Sequence, residues 1–592
     1  GTSVNVVALA GVFTAFAIMV SVFGVSSMLA LSIAQRRQEL ALLRAVGSTP
    51  RQLRRLILRE TLILALFATS LAYFPGQALG TFVFDQLAER DIATEGVVFH
   101  QGWIPTGAAM AVAVLAALAG ALGAGRRAAR IKPTQALTEV SVEARVIGGW
   151  RVLFAMLLLG GGVALTIVSI AVLSGPLTPA TAAPAVILFS IGFALLAPIL
   201  TKVMTFILQW PVRALGGVTG QLAVLNARGR SGRMAAVMAP VILLTGVATG
   251  MLYLQTTNDD ADRQGFADSL VADAVVTVDD HFDPELVARV NELPGVSGAS
   301  EYVSSTGFIE EPVDRSPMGE GWNLQGVTAD GAAATTPVRV TAGALADLKA
   351  DTIAIASKHA KKLGVDVGDT LTLRLGDNTA LDVKVAALIS APDDYDTLLL
   401  PADTLAVHTT AGVARRLFVS AAAHTDPREL VTELSELFAD RDGLSVGGRE
   451  VLLDEYDDQT KTATFAIYIM VLMIAGYAAI TVINTLASST ATRRREFGLQ
   501  RLAGSTRAQV MRMVGLEGAI VAVSGLALGT LAAAEVLVPV SLKRLDTVLP
   551  AGSPLMFALT VGLVVVLTSG ATLLPAWRAT RGRPAEAVLA ID

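Results

Sequence analysis

Apolar residues in this chain come in long unbroken runs rather than in the alternating or 3.6-residue patterns of soluble proteins. Such runs lie at about residues 4–34, 56–84, 104–124, 151–174, 182–209, 234–255, 463–490, 510–540 and 553–576. Each is long enough to cross about 30 Å of hydrocarbon as an α-helix, so the pattern predicts nine membrane spans. Pro75, Pro198 and Pro240 fall inside these runs and are expected to kink their helices. Between 256 and 460 the pattern changes to short mixed elements. Residues 271–279 alternate as a strand, 284–293 suit a helix and 296–303 a returning strand, a βαβ unit. A second unit starts with a strand at Arg416 and continues into a helix from Asp426-Pro427 to about Phe438. Between them, a strand at Ile353, a helix over 358–363, a turn at Val367-Gly368-Asp369 and alternating runs at 371–375 and 381–385 predict a hairpin-rich part.

Composition agrees with a membrane protein. The 592 residues are 53% hydrophobic and 16% charged, against roughly 25% charged in soluble domains. With no cysteine, disulfides, thiolate metal sites and cysteine nucleophiles are all excluded. Charge sorts by side. Arg36, Arg37, Arg44, Arg51, Arg54 and Arg55 follow the first run, whereas Asp85, Glu89, Asp91 and Glu95 follow the second. The first loop is therefore inside, and alternation places every later basic cluster on that same face. The 256–460 insert falls outside and holds more than twice as many acidic as basic residues. The same alternation puts residue 1 outside, so a further span is expected before it.

The chain also repeats itself. Residues 36–60 align without gaps to 493–517 at an offset of 457. Identities include Arg36/Arg493, Glu39/Glu496, Leu42/Leu499, Arg44/Arg501, Gly47/Gly504, Ser48/Ser505, Thr49/Thr506, Gln52/Gln509 and Glu60/Glu517. Arg127, Arg130, Pro133 and Ala136 match Arg578, Arg581, Pro584 and Ala587 at an offset of 451. Each half is thus a three-span unit, and two parallel repeats suggest a pseudo-dimer about the membrane normal. Within the motif, helix formers over 36–44 end at Gly47, and Ser48 or Thr49 can cap a helix restarting at Arg51. That describes a short amphipathic helix along the inner face, serving as a positive-inside anchor or as a docking element for a dimeric cytoplasmic partner. Glu60 and Glu517 are acidic groups inside runs, near Arg59 and Arg512, with either a structural or a gating role.

These two E-x-x-x-x-R-A/L-x-G-S-T segments and their R-x-x-R-x-x-P-x-x-A tails resemble the FtsX-like permease domain of MacB-type (type VII) ABC transporters. The segment 357–375 is similar to the β-rich subdomain of MacB-type periplasmic regions, and the flanking units to their porter-like subdomain. The resemblance implies a polytopic α-helical membrane protein with two three-span permease repeats and an α/β extracytoplasmic domain, in the plasma membrane of a prokaryote. The parts are a first repeat (1–140), a two-span linker (150–210), a cytoplasmic loop and outward span (211–255), the outer domain (256–460) and a second repeat (461–592). It further implies ATPase-coupling roles for Glu39, Arg44 and Gly47 and for Glu496, Arg501 and Gly504. The partners expected are a dimeric cytoplasmic ABC ATPase, membrane lipid and an extracytoplasmic protein, with no nucleic acid.

The sequence offers no catalytic chemistry of its own. No G-x-x-x-x-G-K-[ST] loop occurs, so ATP and Mg are expected on the partner ATPase, with no cofactor in this chain. His100, His281, His359, His408 and His424 have no metal-ligand spacing, and the acidic clusters at 393–396 and 454–458 lack EF-hand spacing. Two functions stay open. The chain is the permease of an exporter or extractor of an amphipathic substrate such as a lipid, lipoprotein, peptide or antibiotic. Alternatively it transmits motion outward to regulate a cell-wall enzyme or signalling partner, with nothing translocated.

Overall fold

The structure, a computed structural model, describes residues 46–88, 102–128, 148–171, 178–229, 231–279, 284–313, 321–392, 397–454 and 493–581, a few isolated positions apart. The predicted span at 4–34, most of that at 463–490, Arg36, Arg44 and the tail residues Arg130, Pro133, Ala136, Pro584 and Ala587 lie outside these residues. The chain divides into two compact units, one within 259–461 and one formed by the segments on either side.

In the flanking unit the helices are α1 (Pro50–Ala88), α2 (Trp103–Ala128), α3 (Gly149–Ala171), α4 (Thr178–Gly229) and α5 (Ser231–Ser269). After the outer unit come α11 (Arg494–Leu502), α12 (Arg507–Leu545) and α13 (Pro554–Ala579). All of these except α11 are long and apolar enough to cross a membrane, seven candidates among the described residues. The remaining two predicted spans fall outside them. Helices run on through Pro75 and Pro240. In α4 the run of helical dihedrals is interrupted at Gly217, with a φ of 55° and ψ of −128°. Residues 218–229 thus form a returning helix where the sequence suggests a loop, and Gly220 lies so close to the Val212 carbonyl that a Cβ would sit 2.2 Å from it.

Helix α5 is central: 83% of its apolar window is covered, against 11% for α1. Small residues bring it close to its neighbours. A Cβ on Gly246 or Gly250 would collide with Ser190 or Val186 of α4, and one on Gly525 or Gly529 of α12 with Val241 or Thr245 of α5. Two G-x-x-x-G stripes therefore stack α4, α5 and α12, the small-residue packing expected where lipid supplies no hydrophobic drive between helices. Ala194, Val241, Ile242, Val521 and Leu528 fill the core so formed.

The outer unit contains β1 (Ala274–Val278), α6 (Pro284–Asn291), β2 (Val296–Glu311), β3 (Trp322–Val327), α7 (Ala329–Thr335), β4 (Arg339–Gly343) and β5 (Thr352–Ala356). It continues with α8 (Ser357–Leu363), β6 (Thr370–Leu375), β7 (Ala380–Ser390), β8 (Thr397–Pro401), α9 (Ala402–Ala406), β9 (Arg416–Ala421), α10 (Pro427–Leu437) and β10 (Leu444–Gly448). The strands form one sheet in the order β10-β1-β9-β2-β3-β8-β5-β7-β4, with β6 bridging β2 and β7. Strands β1 and β2 are each antiparallel to β9, so the predicted βαβ unit is present with β9 inserted between its strands. Among the described residues, four buried clusters lie on this one sheet, the two largest as follows. Val276, Val290, Leu417, Leu430 and Leu434 pack under α6 and α10, and Leu324, Ile353, Ile355, Leu371 and Leu400 pack in the hairpin-rich part.

Candidate functional site at the cytoplasmic end

The described parts of the two copies, the turn at the glycine and the cap that follows it, fold alike. The Ser48 amide donates to the Leu43 carbonyl and the Ser505 amide to the Gln500 carbonyl, each at 3.0 Å, across glycines with φ of 106° (Gly47) and 96° (Gly504). These are six-to-one helix stops, which need a left-handed residue at the glycine position. Thr49 and Thr506 then cap the spans. Each accepts from the amide of the glutamine three residues on (Gln52, Gln509) at 3.3 Å, and each amide donates back to that glutamine's Oε1 at 2.8 Å. Threonine, not serine, is the cap in both. Behind them Leu53 and Ile57 are buried in α1, as their repeat equivalents Val510 and Val514 are in α12.

In the second repeat α11 is locked onto the spans. Arg493, 8% exposed, donates from Nη1 and Nη2 to the Glu517 carboxylate, Nη2 to Oε1 at 3.2 Å. Its Nε also reaches Glu496 Oε2 at 3.2 Å. Asn226, on the returning helix of α4, donates to Glu517 Oε1 at 2.9 Å. The guanidinium lies 5.1 Å from the ring centroid of Phe497, itself 1% exposed. A buried ion pair whose oxygens all find donors is tolerable, whereas either partner alone is an uncompensated buried charge. One arginine thus connects α11, α12 and, through Glu517, α4. Arg501 donates to the Thr580 carbonyl at 2.9 Å and so joins α11 to the end of α13. Arg581 and Arg507 sit 3.5 and 5.8 Å from the ring centroid of Trp577.

The motif residues therefore divide. Glu496 and Glu517 meet on Arg493, Arg501 reaches instead to the end of α13, and Gly504 ends α11. In the first repeat Gly47 plays the same part, Glu39 is helical and exposed, Glu60 is half-buried in α1, and Arg44 lies outside the described residues. Sequence spacing suggests Arg512 beside Glu517, but Arg512 instead donates to the Leu215 carbonyl at the α4 break, at 2.7 Å, and Arg493 takes the carboxylate. The paired identities Arg36/Arg493 and Glu60/Glu517 carried that signal; nothing in the sequence marked Asn226. Among the described side chains of the motif, Leu42, Val46, Leu499 and Leu502 are 63%, 89%, 51% and 57% exposed, beside the exposed Glu39 of the first copy.

Long apolar helices, a duplicated inner motif and an inserted α/β unit define the membrane subunit of a transport-type assembly. The FtsX-like permease C-terminal family model matches residues 11–133 and 468–584, and the MacB-like periplasmic core domain matches 234–437. The chain belongs to the FtsX-like ABC transporter permeases with a MacB-like core domain. It is 23% identical, over 95% of its own length and 68% of the relative's, to an uncharacterized ABC transporter permease protein of Mycobacterium tuberculosis. Among solved structures, the periplasmic region of MacB from Actinobacillus actinomycetemcomitans is 10% identical, with a TM-score of 0.22 over 32% of this chain and 94% of that one. The extracellular domain of the noncanonic ABC-type transporter YknZ from Gram-positive bacteria is 14% identical, with a TM-score of 0.21 over 29% and 98%.

Proposed function

We propose that ATP hydrolysis on a separate cytoplasmic ATPase is transmitted through α11 and its first-repeat counterpart to the spans. The resulting motion of the outer domain exports or extracts an amphipathic substrate. The observation that supports this reading is the Arg493–Glu517–Asn226 network, which makes the short inner helix a rigid extension of α12 and α4. ATP and Mg belong to the partner, so this chain's residues receive force and carry out no chemistry. Buried polar groups in the described spans are mainly hydroxyls and amides, with Glu517 the buried acid. That favours a substrate handled outside or at the lipid surface over a hydrophilic pore.

Leu42 and Leu499 are the same position of the two repeats, both exposed, and they give the ATPase an apolar contact on each half. Leu42→Asp with Leu499→Asp is expected to reduce co-purification of the co-expressed ATPase at least about tenfold, since burying an unpaired carboxylate at an interface costs several kcal/mol. Membrane insertion and melting temperature should be unchanged. Undiminished co-purification and ATPase activity in the double variant would reject docking at this face.

A further inference from the structure

The outer unit holds a cleft of about 670 Å³ within the size range of ligand sites. It opens at a break in the sheet. Strand β2 pairs with β9 up to Tyr302 and with β6 from Gly307 onward. Residues 303–306 pair only with β3, so among the described residues no strand pairs with their other edge. Alternate residues of an antiparallel strand turn N–H and C=O groups to opposite sides, so this gap presents backbone donors and acceptors to the cleft. Ser304 and Ser305 line it.

The two ends of the gap differ in charge. Asp377 closes one end, in the turn after β6, and Arg415 and Arg416 close the other, at the start of β9. His408 Nδ1 lies 2.8 Å from Asp377 Oδ2, and that hydrogen bond, with help from Thr379, holds the Asp377 pKa down at about 2. The carboxylate therefore stays charged above that pH. Val407 and Val413 give the cleft apolar wall, and Tyr302 is fixed by stacking on Phe418 at 4.3 Å between centroids.

We propose that this cleft binds the C-terminal end of an extended peptide, laid along residues 303–306 antiparallel to β2, with its free carboxylate at Arg415 and Arg416. Both strands bordering the gap run antiparallel to β2, β6 ending at Leu375 and β9 beginning at Arg416. A peptide in the same sense runs from beside Asp377 to the arginines, so its carboxylate end meets the cationic end of the gap. Strand addition supplies affinity independent of side chains, and carboxylate capture supplies a terminus requirement. A lipid head group would satisfy the arginines but leave the strand edge unused. The proposal deepens the transport reading by choosing peptide among its substrate classes. Binding is measured without ATPase, so its failure leaves the coupling reading standing.

The test uses the full chain in lipid nanodiscs and a pentapeptide Gly-Val-Ala-Val-Ala, dye-labelled at its amino end, read by fluorescence anisotropy. The free acid should bind saturably and its C-terminal amide at least about tenfold more weakly, the factor expected for losing charge-assisted hydrogen bonds. The pair Arg415→Gln and Arg416→Gln should lose the acid's advantage. Equal affinity of acid and amide in the unaltered chain overturns the proposal, as does no saturable binding up to on the order of 1 mM. Displacement by lysophosphatidate as potent as by unlabelled peptide also overturns it, in favour of an anionic amphiphile. If the arginine variant does not fold, the acid–amide comparison decides.

Discussion

Gly529→Leu is expected to abolish a stable membrane unit. A Cβ at this position would stand 2.5 Å from the Thr245 Cβ and 2.9 Å from the Gly246 nitrogen and the Ile242 carbonyl oxygen. Two of these three obstacles are backbone, which cannot rotate away as a side chain would. Helices α5 and α12 would have to separate, opening the core around Val241, Ile242, Val521 and Leu528. Overpacking alone costs about 3 kcal/mol, and the lost contacts add to it. Gly562→Leu on α13 is the control, because a Cβ there meets nothing within 4 Å. In detergent, the Gly529 variant should lose the monodisperse size-exclusion peak and melt well below the unaltered chain, while the Gly562 variant matches it. A Gly529→Leu protein with unchanged melting would mean that α5 and α12 do not cross here.

This crossing was written in the sequence as G-x-x-x-G at 246–250 and 525–529, yet hydropathy reading passes over it. Glycines inside an apolar run alter a span's length and mean hydropathy little, and which helix each stripe meets depends on tertiary packing. Long spans are more legible, because lipid forces about 20 apolar residues to be contiguous. Their ends were less so. Helix α4 runs past its predicted end at 209 to a break at Gly217, since polar interfacial residues can continue a helix that hydropathy has already ended. The outer unit shows the complementary limit. Period-two alternation located β1, β5, β6 and β9 to within a few residues, but it is silent on order. That β9 enters between β1 and β2, and that one sheet carries four buried clusters among the described residues, comes from long-range pairing.

The cytoplasmic site was half legible for a similar reason. A repeat reports which residues matter to both copies, so Glu496, Arg501, Gly504 and Glu517 stood out. It does not report direction. Glutamate at 496 reads as a surface charge for a partner, but the structure turns it toward Arg493 and leaves Leu499 facing outward.

Arg493→Ala therefore has a large and separable expected effect. It leaves Glu517, 7% exposed, with only Asn226 among the donors the structure gives it, an uncompensated buried carboxylate that costs about 3–5 kcal/mol. Folded yield and melting temperature should fall together. Adding Glu517→Leu removes the orphaned charge, and apolar replacement of a buried ion pair is often neutral, so Arg493→Met with Glu517→Leu should regain most of the lost stability. Coupling should not return with it. Methionine and leucine pack without the directional hydrogen bonds that fix α11 to α12 and, through Asn226, to α4, so movement of the inner helix would no longer carry the spans. The measurement pairs melting temperature with ATP hydrolysis by the co-purified ATPase, with and without the membrane subunit. Restored melting with ATPase activity no longer responsive to the permease is the expected result. Full recovery of both would reduce the Arg493–Glu517 pair to a stabilising contact and move the coupling role elsewhere on the inner face.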